Sequence, residues 1–224
     1  MYPLRYVDVP RVLEQISADQ SRSMYGTYFT ENTGAYFEPF SALSDPMRFE
    51  ASDLIAIEAL SVQLHPHGAI QLLLDKAFAD ECSALLRQIP VGIPLAEVDA
   101  SVVADGSPAD QLWKALRTVH GMGHGRTVIS KLMAAKRPLL LPIWDTMVAT
   151  VIAEPDGGFW SPTHRLVSDP ASRRSIEEAT KSAPDHVGLL RRIDVALWRF
   201  AKTLPANQSP AGSPALAPEL PHRS

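Results

Sequence analysis

The chain has 224 residues, 46% of them apolar, and a formal net charge of −4. That is enough for one domain with a real core, and it excludes a protein that binds nucleic acid through global positive charge; such a role needs cations clustered locally. Cys82 is the single cysteine, which excludes an internal disulfide and fits a reducing compartment.

The first residues, "MYPLRYVDVPRVLEQ", contain no hydrophobic signal region, and no apolar run approaches membrane-spanning length. The expectation is a cytoplasmic protein without a membrane partner. Arg11 to Asp19 reads as a short amphipathic helix. Tyr25, Tyr28, Phe29, Tyr36, Phe37 and Phe40 then crowd one stretch, "YGTYFTENTGAYFEPF", expected as a loop region around Gly26 to Phe40. Its aromatics suit either a flap pinned onto the core or a surface that stacks on an exposed base.

Ser52 is a candidate N-cap for "DLIAIEALSV", with Asp53 in the first turn. Helices are also expected over Ala69 to Leu74 and Asp80 to Arg87. Ser107-Pro108 supplies a cap and a first-turn proline for "ADQLWKALRTV". Ser182 or Pro184 opens the last helix, where Val187, Leu190, Ile193, Leu197 and Phe200 make one apolar stripe. No alternating strand pattern and no repeat interrupts this, so the fold class is all-α: one multi-helix domain over 1–203. The tail 204–224, rich in Pro, Ala and Ser, lacks a periodic apolar pattern and is expected to be disordered.

The chemistry-bearing stretch is His120 to Ile152, "HGMGHGRTVISKLMAAKRPLLLPIWDTMVATVI". From Gln111 to Trp144 there are six cations (Lys114, Arg117, Arg126, Lys131, Lys136 and Arg137) and no acid. Such polarised charge is the footprint of a docking anion, or of a solvated helix face. Gly121, Gly123 and Gly125 lie in the turn between two expected helices, the second beginning near Arg126. There they would let free backbone N–H groups meet a phosphate, or serve only as a helix cap and relief of crowding. Asp145 precedes "TMVATVI" and reads as an N-cap that can also face a cleft.

These residues carry a resemblance. "GHGRTVISKL" is similar to the helix-hairpin-helix element of the DNA glycosylase superfamily, placing such an element at about 108–135, and "LLLPIWDTMV" resembles the segment holding that superfamily's catalytic aspartate. The resemblance implies Asp145 as a catalytic carboxylate. It also implies a nucleic-acid contact made by Gly121, Gly123, Gly125, Arg126, Thr127, Lys131, Lys136 and Arg137, with DNA as partner. The hairpin register, from Gly121 or from Gly123, stays open.

Departures limit the chemistry. Relatives that also cut the backbone carry a lysine where this chain has Thr127 or Gly125, so the activity implied is monofunctional base excision. The superfamily's histidine after Asp-Thr is Met147 here. The alternative is a non-catalytic helical module for DNA or a protein partner, with Asp145 only a cap; a third reading is a purely structural helical domain. "SKLMAAKRPLLLPIWD" and "LRRIDVALWRF" also look like a family of uncharacterised bacterial proteins. His65, His67, His120 and His124 are read as loop histidines, because no closed set of four ligands shows in the spacing. No phosphate-binding P-loop or dinucleotide fingerprint is present, and neither metal nor cofactor is expected.

Overall fold

The computed structural model describes residues 8–16, 18–122, 125–149, 151–152 and 158–203. Gly123, His124 and the segment 204–224 lie outside the described residues. The fold is all-α; among the described residues there is no β-strand, and the order is α1 (Val9–Glu14), α2 (Ala18–Glu31), α3 (Phe37–Ser41), α4 (Ala51–Ala59), α5 (Pro66–Leu74), α6 (Lys76–Leu86), α7 (Pro108–Leu116), α8 (Arg126–Lys136), α9 (Thr146–Ala149), α10 (Trp160–Ser168), α11 (Pro170–Ala179) and α12 (Leu189–Thr203). No helix among the described residues is long and apolar enough to cross a membrane.

Local chemistry starts most helices where short polar residues or proline stand. Ser107 accepts the Asp110 N–H at 3.2 Å, with Pro108 in the first turn of α7. Asp75 caps α6 and Asp169 caps α11. The N-cap of α4 is Glu50 rather than Ser52: the Asp53 carboxylate reaches back to the Glu50 N–H at 2.7 Å, a reciprocal capping box. The stretch Gly26 to Phe40 is helical rather than a loop. α2 runs through Gly26, and a 3-10 turn over Thr33–Tyr36 leads into α3. Tyr25, Tyr28 and Phe37 are buried there, Phe29 and Phe40 pack half-buried against the core, and Tyr36 stays 57% exposed. The last helix begins at Leu189, later than Ser182 or Pro184, and its stripe residues Leu190, Ile193 and Leu197 are buried as the periodicity requires.

α8 lies at the centre. It packs against α4 on one side and α7 on another, and its residues from Ile129 through Lys136 are all buried. A helix enclosed on every side is ordinarily apolar all round; this one carries two lysines inward, and their partners organise the rest of the molecule. α12 packs on α2 and α9, and α10 on α11.

Candidate functional site

The end of α8 fixes two cations internally. The Lys136 ammonium lies 2.5 Å from the Asp53 carboxylate, with side-chain exposures of 1% and 0%. It also donates to Ser44 Oγ and, at 2.9 Å, to the Asp45 carbonyl. Burial pulls the Lys136 ammonium below its ordinary range against the attraction of Asp53, and pushes the Asp53 carboxyl up. Arg137 is 1% exposed. Its guanidinium donates to the carbonyls of Ile89 (3.0 Å), Pro46 (2.8 Å), Lys136 (2.8 Å) and Leu86. Lys136 and Arg137, expected at a phosphate surface, are instead buried pillars that fasten α8 to the 44–46 and 86–89 turns. A charged group enters a core only with partners of this kind.

After Arg137 the chain folds back along α8. The Ser130 hydroxyl accepts the Trp144 N–H at 3.0 Å and lies 3.0 Å from the Trp144 carbonyl. That clamp sets the next residue, Asp145, beside the next residue of the helix, Lys131. The Lys131 ammonium donates to Asp145 Oδ2 at 2.9 Å and to the Leu60 carbonyl at 3.0 Å. The other carboxylate oxygen accepts the Met147 N–H at 2.8 Å, opening α9. Asp145 is therefore an N-cap and half of an ion pair. A carboxylate has about four acceptor positions, so these two bonds leave it capacity for a ligand.

The pair lines a pocket of about 450 Å³ that also holds Tyr28, Thr127, Arg191, Asp194 and Trp198. Its buried wall is a network: Arg191 donates to Tyr28 Oη at 2.7 Å, to Glu38 at 3.1 Å, to the Gly34 carbonyl at 3.1 Å and to Asp194. Burial pushes the Asp194 carboxyl above its ordinary range, with Arg191 pulling it back and the neighbouring Asp145 charge adding to the rise. Burial likewise raises Tyr28. Trp198 stands half-buried, with the exposed Lys202 ammonium 3.7 Å from its ring centroid; both residues line the pocket.

Of the residues singled out from the sequence, the fold brings Thr127, Lys131 and Asp145 to one pocket. Arg126 is exposed and lines a separate small crevice beside Trp113 and Trp160. Gly125 precedes α8 as its N-cap, its N–H 2.6 Å from the Met122 carbonyl. Gly121 has φ of +79° and approaches α5 rather than the pocket. Arg191, Asp194 and Trp198 escaped the sequence reading. One signal pointed to them: Asp194 adjoins Ile193 on the apolar side of α12, a place where an acid needs a partner, and Arg191 precedes it by three residues.

Fold and site define an all-helical protein with a carboxylate–ammonium pair in a pocket whose lining includes Tyr28 and Trp198. Residues 21–201 match a family of unknown function (DUF6308), and the chain belongs to that family. No curated protein and no solved structure matches it.

Proposed function

We propose that the pocket receives a nucleobase turned out of a nucleic-acid strand, and that Asp145 assists hydrolysis of the bond between that base and its sugar. The observation that carries this reading is the enclosure of Asp145, Lys131, Tyr28 and Trp198 in one pocket of about 450 Å³. That volume is in the range of small-molecule sites. Base excision needs a pocket for an extruded base, rings to stack on it, and a carboxylate near the sugar. The resemblance of the turn before α8 to a helix-hairpin-helix element supports the same reading.

In the proposed step the bond from the sugar C1′ to the base nitrogen breaks and the base leaves with the electron pair. Positive charge builds on the sugar, and the Asp145 carboxylate stabilises it. Water then adds to C1′, and its proton passes to solvent or to the departing base. Lys131 holds Asp145 at one oxygen while Met147 N–H holds the other, so the carboxylate is oriented before substrate arrives. Lys202 at the pocket's edge, and Arg126 beyond it, supply phosphate contacts.

The test is incubation of the protein with duplexes carrying different damaged bases, followed by alkali to reveal abasic sites. The wild-type chain releases a base and leaves the strand intact until alkali is added. Asp145→Asn abolishes release and keeps or strengthens DNA binding, because Asn still caps α9 and a negative charge is gone; a thermal melt accompanies the assay, because the buried Lys131 ammonium loses its counter-charge. Lys131, engaged by Asp145 and the Leu60 carbonyl, gives no borohydride-trapped adduct. Equal activity of wild type and Asp145→Asn, or none on any duplex, refutes the catalytic reading. The second reading, a binding module in which the Lys131–Asp145 pair only pins α9 to α8, then stands if DNA binding weakens with salt.

A further inference from the structure

The turn between α7 and α8 meets the start of α5 at a second cluster of chemistry-bearing side chains. His65 and His67 flank Pro66 at the N-terminus of α5, and His120, from far along the chain, lies against both. Ring centroids are 5.1 Å apart for His65–His67, 5.2 Å for His65–His120 and 5.4 Å for His67–His120. One ring nitrogen of each lies within 4.8 Å of the others, and all three residues are exposed. From spacing alone these read as loop histidines, since no third ligand stood near the His65–His67 pair; tertiary structure supplies it.

The approach is built by the backbone. A Cβ on Gly121 would stand 2.5 Å from the His65 Cβ, and a Cβ on Gly68 would stand 2.6 Å from the His120 carbonyl. Gly121 also has φ of +79°, where an L side chain is strained. The His120 N–H is held by the Gln71 side chain at 3.2 Å. His65 Nδ1 accepts the His67 N–H at 3.2 Å as the cap of α5; a neutral imidazole has a single acceptor nitrogen, so His65 gives up this bond when it ligates a metal, through Nδ1 directly or through Nε2 after the proton moves to Nδ1. Two glycines and the Gln71 contact thus hold three imidazoles together.

We propose that His65, His67 and His120 form a binding site for a divalent transition-metal ion of the Zn²⁺ class. Imidazole nitrogens suit Zn²⁺ and its neighbours rather than Mg²⁺ or Ca²⁺. Bonds of about 2.0–2.1 Å at tetrahedral angles bring the nitrogens to roughly 3.4 Å from one another. Exposed rings reach that from 4.8 Å by rotation about their side-chain bonds. Three protein ligands leave the fourth position facing solvent, open to water or an anion. The ion would tie α5 to the turn preceding α8. The assignment stands independently of the function of the Asp145 pocket.

The test uses the full chain, stripped of metal, titrated with Zn²⁺ against a chromophoric chelator and with Co²⁺ by visible absorption. One ion binds per chain at micromolar zinc, and Co²⁺ gives the intense bands of a low-coordinate site. His67→Gln and His120→Gln each weaken binding roughly tenfold or more. His65→Asn, which keeps a capping acceptor for α5, does the same. His186→Gln leaves affinity unchanged. Melts in excess chelator establish that every variant folds as the wild type does. No binding at micromolar zinc, or binding that survives His120→Gln, overturns the proposal.

Discussion

Replacing Lys136 with methionine tests whether the charge on α8 serves the core or a surface. The substitution keeps most of the volume and removes the ammonium. The Asp53 carboxylate, with 0% side-chain exposure, is then left uncompensated. Its Oδ2 retains the Ser44 hydroxyl at 2.8 Å and the Glu50 N–H at 2.7 Å, but Oδ1 already has no hydrogen-bond partner. Breaking a buried ion pair from one side costs about 3–5 kcal/mol. At about 2–4 °C per kcal/mol for a chain of this size, the melting temperature should fall by roughly 6–20 °C. Adding Asp53→Asn removes the orphaned charge and keeps an acceptor for Glu50 N–H, so the double variant should return to within about 1–2 kcal/mol of wild type. Urea denaturation with an unchanged m-value measures both. If the protein binds DNA as proposed, the salt dependence of that binding should not change in the same samples, because a buried lysine releases no counterion. A loss below about 1 kcal/mol for Lys136→Met, no recovery in the double variant, or a salt slope reduced by about one unit would refute this reasoning.

Arg137→Met should be more damaging still, since the carbonyls of Ile89, Pro46 and Lys136 lose their Arg137 donor together while Leu86 keeps the Ile89 N–H at 3.2 Å, at about 1–3 kcal/mol for each buried group left unpaired. Arg137→Lys should rescue little, because one ammonium cannot span the fork; a near-native melt for either variant contradicts the assignment. Burial pushes the Cys82 thiol up to about 12, so at pH 8 only roughly one in 10⁴ is thiolate. A disulfide reagent should modify it in denaturant and not in the native protein, and rapid native labelling would show that α6 opens. Gly121→Ala should cost about 1–2 kcal/mol from its left-handed backbone alone, and more because the added Cβ meets His65; an unchanged denaturation midpoint would mean that the turn stands clear of α5.

How much of this was legible in the sequence depends on the range of each interaction. Ser107 with Pro108 marked the start of α7, and the spacing of Leu190, Ile193 and Leu197 marked the buried face of α12, because capping and amphipathic periodicity act within about four residues. Asp145 as a helix opening was legible for the same reason. The sequence reading failed where a local signal had two equivalent outcomes. "YGTYFTENTGAYFEPF" was expected as a loop region, yet packing of Tyr25 and Phe37 carried the helices through.

The six cations between Gln111 and Trp144 show where local information ends. Their number and the absence of acids among them belong to the sequence alone, as do the helical class and the candidacy of Asp145. Whether a given lysine meets solvent, a ligand or a buried carboxylate was decided only by the tertiary structure. Lys136 found Asp53 and Ser44, Lys131 found Asp145 and the Leu60 carbonyl, and Arg137 found four backbone carbonyls. His120 likewise met His65 and His67 only because Gly68 and Gly121 let two distant turns touch. The physical reason is that helix propensity and capping depend on a residue's immediate neighbours. Burial and charge pairing depend on which distant segment the core brings alongside, and a charge's role follows from that partner.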